Sequence, residues 1–272
     1  MKLKKIVLSV AAAGLFSAFT VPAQAAVLDA WQMVINGDTY ANIGRLSLTG
    51  GSSAIEQEVN GTGSVFVGAR FAETGSIYNI SYVQNNVVGS GDYVSPTSPL
   101  LLLAAADQLQ FNFTNVMGHV TSLNADGSFN FVFDSGSFGA QLYNSPFSPQ
   151  ATGILNGIGG NLNGTTGFAG KNGQSVSDII LTSLLNGFQL KDSTGTALDL
   201  NKILFEAQTN NSVAAVTGTG TCSFDGGASC ASFVVNSNGD AYLTTVPEPA
   251  SLALLGIGLV GMGFASRRRA KK

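Results

Sequence analysis

The chain has 272 residues, of which 44% are hydrophobic and only 11% charged, with a formal net charge of −3. That length suffices for a sizeable buried core, and the acidic balance argues against recognition of a phosphate backbone, so no nucleic acid is expected as a partner. Two cysteines and a single histidine leave little material for a metal cluster or a histidine-based triad, so no cofactor and no enzymatic activity are expected.

Residues 1–25 have the layout of a secretory signal peptide. Lys2, Lys4 and Lys5 form a basic start, an apolar run follows to about Thr20, and Ala23-Gln24-Ala25 supplies the small-x-small cleavage pattern. Cleavage there leaves Ala26 as the first mature residue. Without the two ends, the body at 26–245 keeps five cations (Arg45, Arg70, Lys171, Lys191, Lys202) against fifteen carboxylates, a balance of −10. Its first turn signal is Asn36-Gly37-Asp38, and 43–48, 64–72 and the stretch holding Ile77, Ile80 and Tyr82 read as strands. Ser98-Pro99 before a leucine-alanine run predicts a short helix with proline at its first position; the competing reading is a buried strand. Leu109, Phe111 and Phe113 alternate with polar residues, Phe129, Phe131 and Phe133 alternate with Asn130, Val132 and Asp134, and Ala125-Asp126-Gly127 between them reads as a turn.

Residues 145–173 are rich in glycine, asparagine and proline. They read as a long surface loop or as a boundary between two lobes, with one domain favoured. Residues 175–186, with Asp178 early and Gly187 as a stop, predict a second short helix. Strands follow at 203–209, 233–235 and 241–245, with Asn238-Gly239-Asp240 as a turn. Strands at this density predict a mainly β domain, an antiparallel sandwich or jelly-roll-like body with one or two short helices. Cys222 and Cys230 flank a glycine-rich turn in a chain bound for an oxidising compartment, which predicts a disulfide between them.

The candidates for chemistry are sparse. His119 is the one imidazole and reads as structural or solvent-facing. Glu56 and Glu58 share a strand face, as a pair of glycosidase acids could, without a pattern that assigns them a role. The string around Lys171 lacks the first glycine and the hydroxyl residue of a phosphate-binding loop. Residues 124–128 and 236–240 set oxygen side chains around a glycine in the manner of a calcium loop, but plain β-turns account for both. Thr217, Thr219 and Thr221 form one alternating threonine run. Trp31, Tyr78, Tyr82, Tyr93, Tyr143 and Tyr242 are candidate platforms for sugar rings, with packing as the competing reading.

The segment 246–272 has three parts in order: Pro247-Glu248-Pro249, an almost uncharged run at 250–265, and a basic end with Arg267, Arg268 and Arg269. As a helix the run would reach about 24 Å, marginal against a bilayer core of roughly 30 Å, and the basic end belongs on the cytoplasmic side. The order and spacing resemble the PEP-CTERM sorting signal, also catalogued as the ice-binding protein C-terminal domain. The resemblance implies recognition by an exosortase, a membrane peptidase or transpeptidase of Gram-negative bacteria that make exopolysaccharide. It also implies a transient membrane anchor, removal near Pro247-Glu248-Pro249, and a final place at the cell surface or in the extracellular matrix. It covers the last tenth of the chain and is silent on what the β body does.

Overall fold

Twelve β-strands account for nearly all the regular structure in the computed structural model, which describes residues 26–85 and 100–246. In chain order they are β1 (Trp31–Ile35), β2 (Asp38–Val59), β3 (Arg70–Gln84), β4 (Leu100–Leu102), β5 (Leu109–Leu123), β6 (Ser128–Leu142), β7 (Ser145–Leu155), β8 (Gly159–Asn163), β9 (Asn172–Leu184), β10 (Gln189–Asp192), β11 (Ile203–Thr221) and β12 (Ser229–Thr245). The helical content is two 3-10 turns of three residues each, Ala105–Asp107 and Leu200–Lys202. Strands form because apolar residues recur at every second position: Leu109 and Phe111 are buried while Gln110 and Asn112 between them are not. Asn36 and Gly37 take left-handed φ values of 51° and 94°, which suit a tight hairpin between β1 and β2.

All strand pairs are antiparallel, and they close on themselves. The ladder runs β2-β12-β11-β9-β7-β6-β5-β3, and β3 pairs back onto β2. Where a sandwich or jelly roll would leave edges between two sheets, hydrogen bonding here is continuous. Following directly paired residues round the ring from Asn172 leads through Ser212, Asn236, Ser52, Ser76, Asn112 and Gly139 to Thr152, then back to β9 at Ser183. The return point lies eleven residues beyond the start (183 minus 172), the stagger that tilted strands need to close a barrel. β8 fills the gap below β7, between β6 and β9. β1, β10 and β4 extend the sheet outside the ring.

Eight strands enclose a space that side chains can fill. A large apolar cluster holds Trp31, Ile43, Leu48, Leu109, Ile179 and Leu243 among others, and a smaller one holds Val120, Phe129, Phe168 and Phe233. Edge-to-face aromatic pairs stiffen the first, with Phe111 5.2 Å from Phe138 and 5.4 Å from Phe205. At one end Asp107 is buried and accepts from Tyr40 Oη at 2.5 Å and Asn36 Nδ2 at 2.7 Å. Burial first, and then that carboxylate, push the Tyr40 phenol up to about 12.

Several expectations are corrected. Of residues 175–186, those at 175–184 form most of β9 and the last two lead into a turn, not a helix, because Ser175, Ile179 and Leu181 are buried at strand period and Val176, Ile180 and Thr182 are β-branched. The leucine-alanine run becomes β4 and a 3-10 turn, since Leu101 pairs with Tyr82 at the sheet edge; Ser98 and Pro99 lie outside the described residues. Residues 145–173 are not a loop but carry β7, β8 and the start of β9. Residues 64–69 are irregular, and the strand begins only at Arg70. Asn238-Gly239-Asp240 is no turn; it runs through the middle of β12, where a Cβ on Gly239 would stand 1.9 Å from the carbonyl oxygen of Gln208.

Candidate functional site

A broad concavity lies on the outer face of β8, β9, β11 and β12. Strand register sets its side chains in rows. Asn161 is opposite Gln174, Gln174 opposite Asn210, and Asn210 opposite Asn238. One step along, Asn172 faces Ser212, which faces Asn236. Successive residues of a strand point to opposite sides, so Leu162, Ser175 and Val235 go inward while the amides between them go out. The groove they line has a volume of about 530 Å³ and contains no charged and no aromatic side chain. Gln174 Nε2 donates to Asn210 Oδ1 at 3.1 Å, and Asn238 Oδ1 accepts from the Gly50 amide at 3.1 Å. The side chains of Asn161, Asn163, Asn172 and Asn236 make no hydrogen bond among the described residues.

Inside the ring, a polar layer lies beside the junction of the two apolar clusters, which Ile55 and Phe131 bridge. Ser175 Oγ and Thr209 Oγ1 are 2.7 Å apart, Asn211 Nδ2 donates to Ser175 Oγ at 3.0 Å, and Ser237 Oγ donates to Asn211 Oδ1 at 2.8 Å. Glu73 projects into this layer between cavities of about 40 and 50 Å³, each roomy enough for water. Burial pushes its carboxyl up, and a hydrogen bond with Ser53 pulls back part of that shift.

The carboxylates picked out in the sequence have structural work. Glu56 Oε2 accepts from Ser223 N at 2.8 Å and from Ser223 Oγ at 2.6 Å, and Glu58 Oε2 accepts from Arg70 N at 2.9 Å. Arg70 is paired with Asp225 and lies over the Phe224 ring. These contacts dock the loop closed by the Cys222–Cys230 disulfide, which forms as expected. A carboxylate pair that the sequence did not single out is Asp178 and Glu206, directly opposite on β9 and β11. Burial raises the Asp178 carboxyl, and Glu206 raises it further. They share one strand surface and do not face each other across a cleft.

His119 Nδ1 lies 2.9 Å from Asp134 on the neighbouring strand, half exposed. Asp126 Oδ1 accepts from Ser128 N and Oγ at 2.9 and 2.6 Å, which closes that turn on itself and holds the carboxyl below the usual range. No group of three or more His, Cys, Asp or Glu side chains stands ready for a metal among the described residues. Of the aromatic candidates, Trp31 is buried in the core, Tyr82 packs against Tyr40, and Tyr242 is half-buried. Tyr78 and Tyr143 are exposed, edge to face with centroids 6.0 Å apart; Tyr93 lies outside the described residues. The threonine run ends β11 and is exposed. The amide groove was not anticipated, because its residues come from four separate stretches that only the strand register unites.

The body's two ends lie side by side. Val27 bridges to Thr244, and Leu28 N donates to Leu243 O at 2.8 Å. Ala26 is exposed; Ala23 and Ala25, Pro247, Glu248, Pro249 and Arg267, Arg268 and Arg269 lie outside the described residues. So does the expected span at 250–265, and no helix among the described residues is long and apolar enough to cross a membrane. Residues 245–269 match the family model described as the PEP-CTERM protein-sorting motif. The chain carries a PEP-CTERM sorting signal. The PEP-CTERM match supports an exported protein sorted by an exosortase to the outer cell surface. No curated protein and no solved structure matches the chain.

Proposed function

We propose that this is a non-enzymatic surface or matrix protein. It is exported, held briefly in the inner membrane by residues 250–265, cut near Pro247-Glu248-Pro249 by an exosortase-type peptidase, and left at the cell surface or in the matrix with exopolysaccharide. The observation that carries this reading is the sorting motif at residues 245–269, which begins on the last residue of β12. Glu56 holds the disulfide loop and Glu58 the start of β3, which favours a structural role for them over a catalytic one. Replacing Pro247-Glu248-Pro249 with alanines should leave uncleaved precursor in the inner membrane, read by intact mass of the C-terminus. The same processing in the variant and in the native chain would reject the reading.

A second reading is a secreted carbohydrate-binding module, favoured by the exposed Tyr78–Tyr143 pair. Loss of glycan retention on Tyr143→Ala would support it.

A further inference from the structure

The face formed by β8, β9, β11 and β12 departs from an ordinary solvated surface in two ways. Soluble surfaces intersperse charges of both signs, and this groove has none. Asparagine is disfavoured in strands, yet six asparagines point outward here from strand interiors or ends. Fold stability alone gives no reason to gather them. We infer that the groove is a contact site for a neutral polysaccharide. The inference rests on the exopolysaccharide-associated reading above and names where and how the body meets the polymer.

A carboxamide places a donor N–H beside an acceptor C=O. Two neighbouring hydroxyls of a sugar ring, each both donor and acceptor, are its complement. Asn161, Asn163, Asn172 and Asn236 have that capacity unspent within the described residues. Rows are about 4.8 Å apart across strands, and equivalent positions repeat about every 6.8 Å along them. The result is a shallow grid that a chain can lie across, not an enclosure for a single ring. The body's balance of −10 repels carboxylated or sulfated polymers, which is why the ligand is neutral. Without an aromatic platform each contact is weak, so binding depends on many repeats of the polymer acting together.

The test is affinity electrophoresis of the exported protein in native gels containing dextran, hydroxyethyl cellulose or alginate. Retardation is expected with at least one neutral polymer and not with alginate, and free glucose should not compete. The exposed double variant Asn172→Ala/Asn236→Ala should weaken retardation by at least roughly fivefold, and so should Asn172→Thr/Asn236→Thr, which keeps strand propensity. Tyr78→Ala/Tyr143→Ala should leave it unchanged. Failure of both neutral polymers to retard the native chain, native retardation in the asparagine variants, or loss in the tyrosine variant alone would overturn the inference. Each of these leaves the mature C-terminal mass untouched, so failure here is distinct from failure of the sorting reading.

Discussion

Glu73 carries a titratable group into the polar layer beside the junction of the two apolar clusters, where Ser53 is its hydrogen-bond partner. Charging it there costs free energy that the unfolded chain does not spend. The folded state therefore holds this proton more tightly than the unfolded chain does, and stability falls as pH rises from the ordinary glutamate value of 4.5 through the raised one. Below 4.5 the contribution is fully present; above the raised value it is lost. Glu73→Gln keeps the shape and a hydrogen-bonding group without the charge. It should raise stability at pH 8 by about 1–3 kcal/mol, and the gain should shrink as pH falls to 4. Thermal melts at the two pH values measure this. A variant that is less stable than the native chain at pH 8 would mean that the ionised carboxylate is satisfied in place.

Among the elements, the loop between β11 and β12 is held at three points: the Cys222–Cys230 bond, Ser223 on Glu56, and Asp225 on Arg70. The chain-entropy argument gives about 2–3 kcal/mol for so short a ring, and for a body of this size that is a Tm change of roughly 5–10 °C on reduction. Because Glu56 acts on the same loop, Glu56→Ala should cost less in the reduced protein than in the oxidised one; equal costs would show that the two restraints do not cooperate. The disulfide was legible because the spacing of two lone cysteines carries it, and the central strands were legible because their phenylalanines alternate. Residues 145–173 were misread for a physical reason. β8 lies so close to β6 and β9 that a Cβ on Gly159, Gly160 or Gly173 would stand within 1.9–2.1 Å of a backbone oxygen. Those glycines therefore mark close approach of strands, where composition alone suggests a loop. The amide groove was invisible for a different reason: Asn161, Gln174, Asn210 and Asn238 adjoin only through register, which no local pattern encodes.

At the scale of the molecule, the barrel and the sorting signal are almost in contact along the chain. Thr245 is still paired with Ile203, and Thr244 with both Leu204 and Val27. Val246 alone separates the last paired residue from Pro247, a reach of about 7 Å for two extended steps. Pro247 and Pro249 cannot donate to a ladder, so the sheet has no means of drawing the signal in. A peptidase that reads Pro247-Glu248-Pro249 must therefore act two to four residues past the end of β12 along the chain. Removing Thr245 and Val246 would join Pro247 directly to Thr244, a residue paired with both Leu204 and Val27, and should slow conversion of precursor to product several-fold. Inserting about six Gly-Ser residues after Val246 relaxes the constraint and should leave conversion at least as fast as in the native chain. Pulse-chase labelling with separation of precursor and product measures both. If the deletion is processed at the native rate, or the insertion is slower, then distance from the barrel does not govern access, and the short connection at Val246 has no part in timing release.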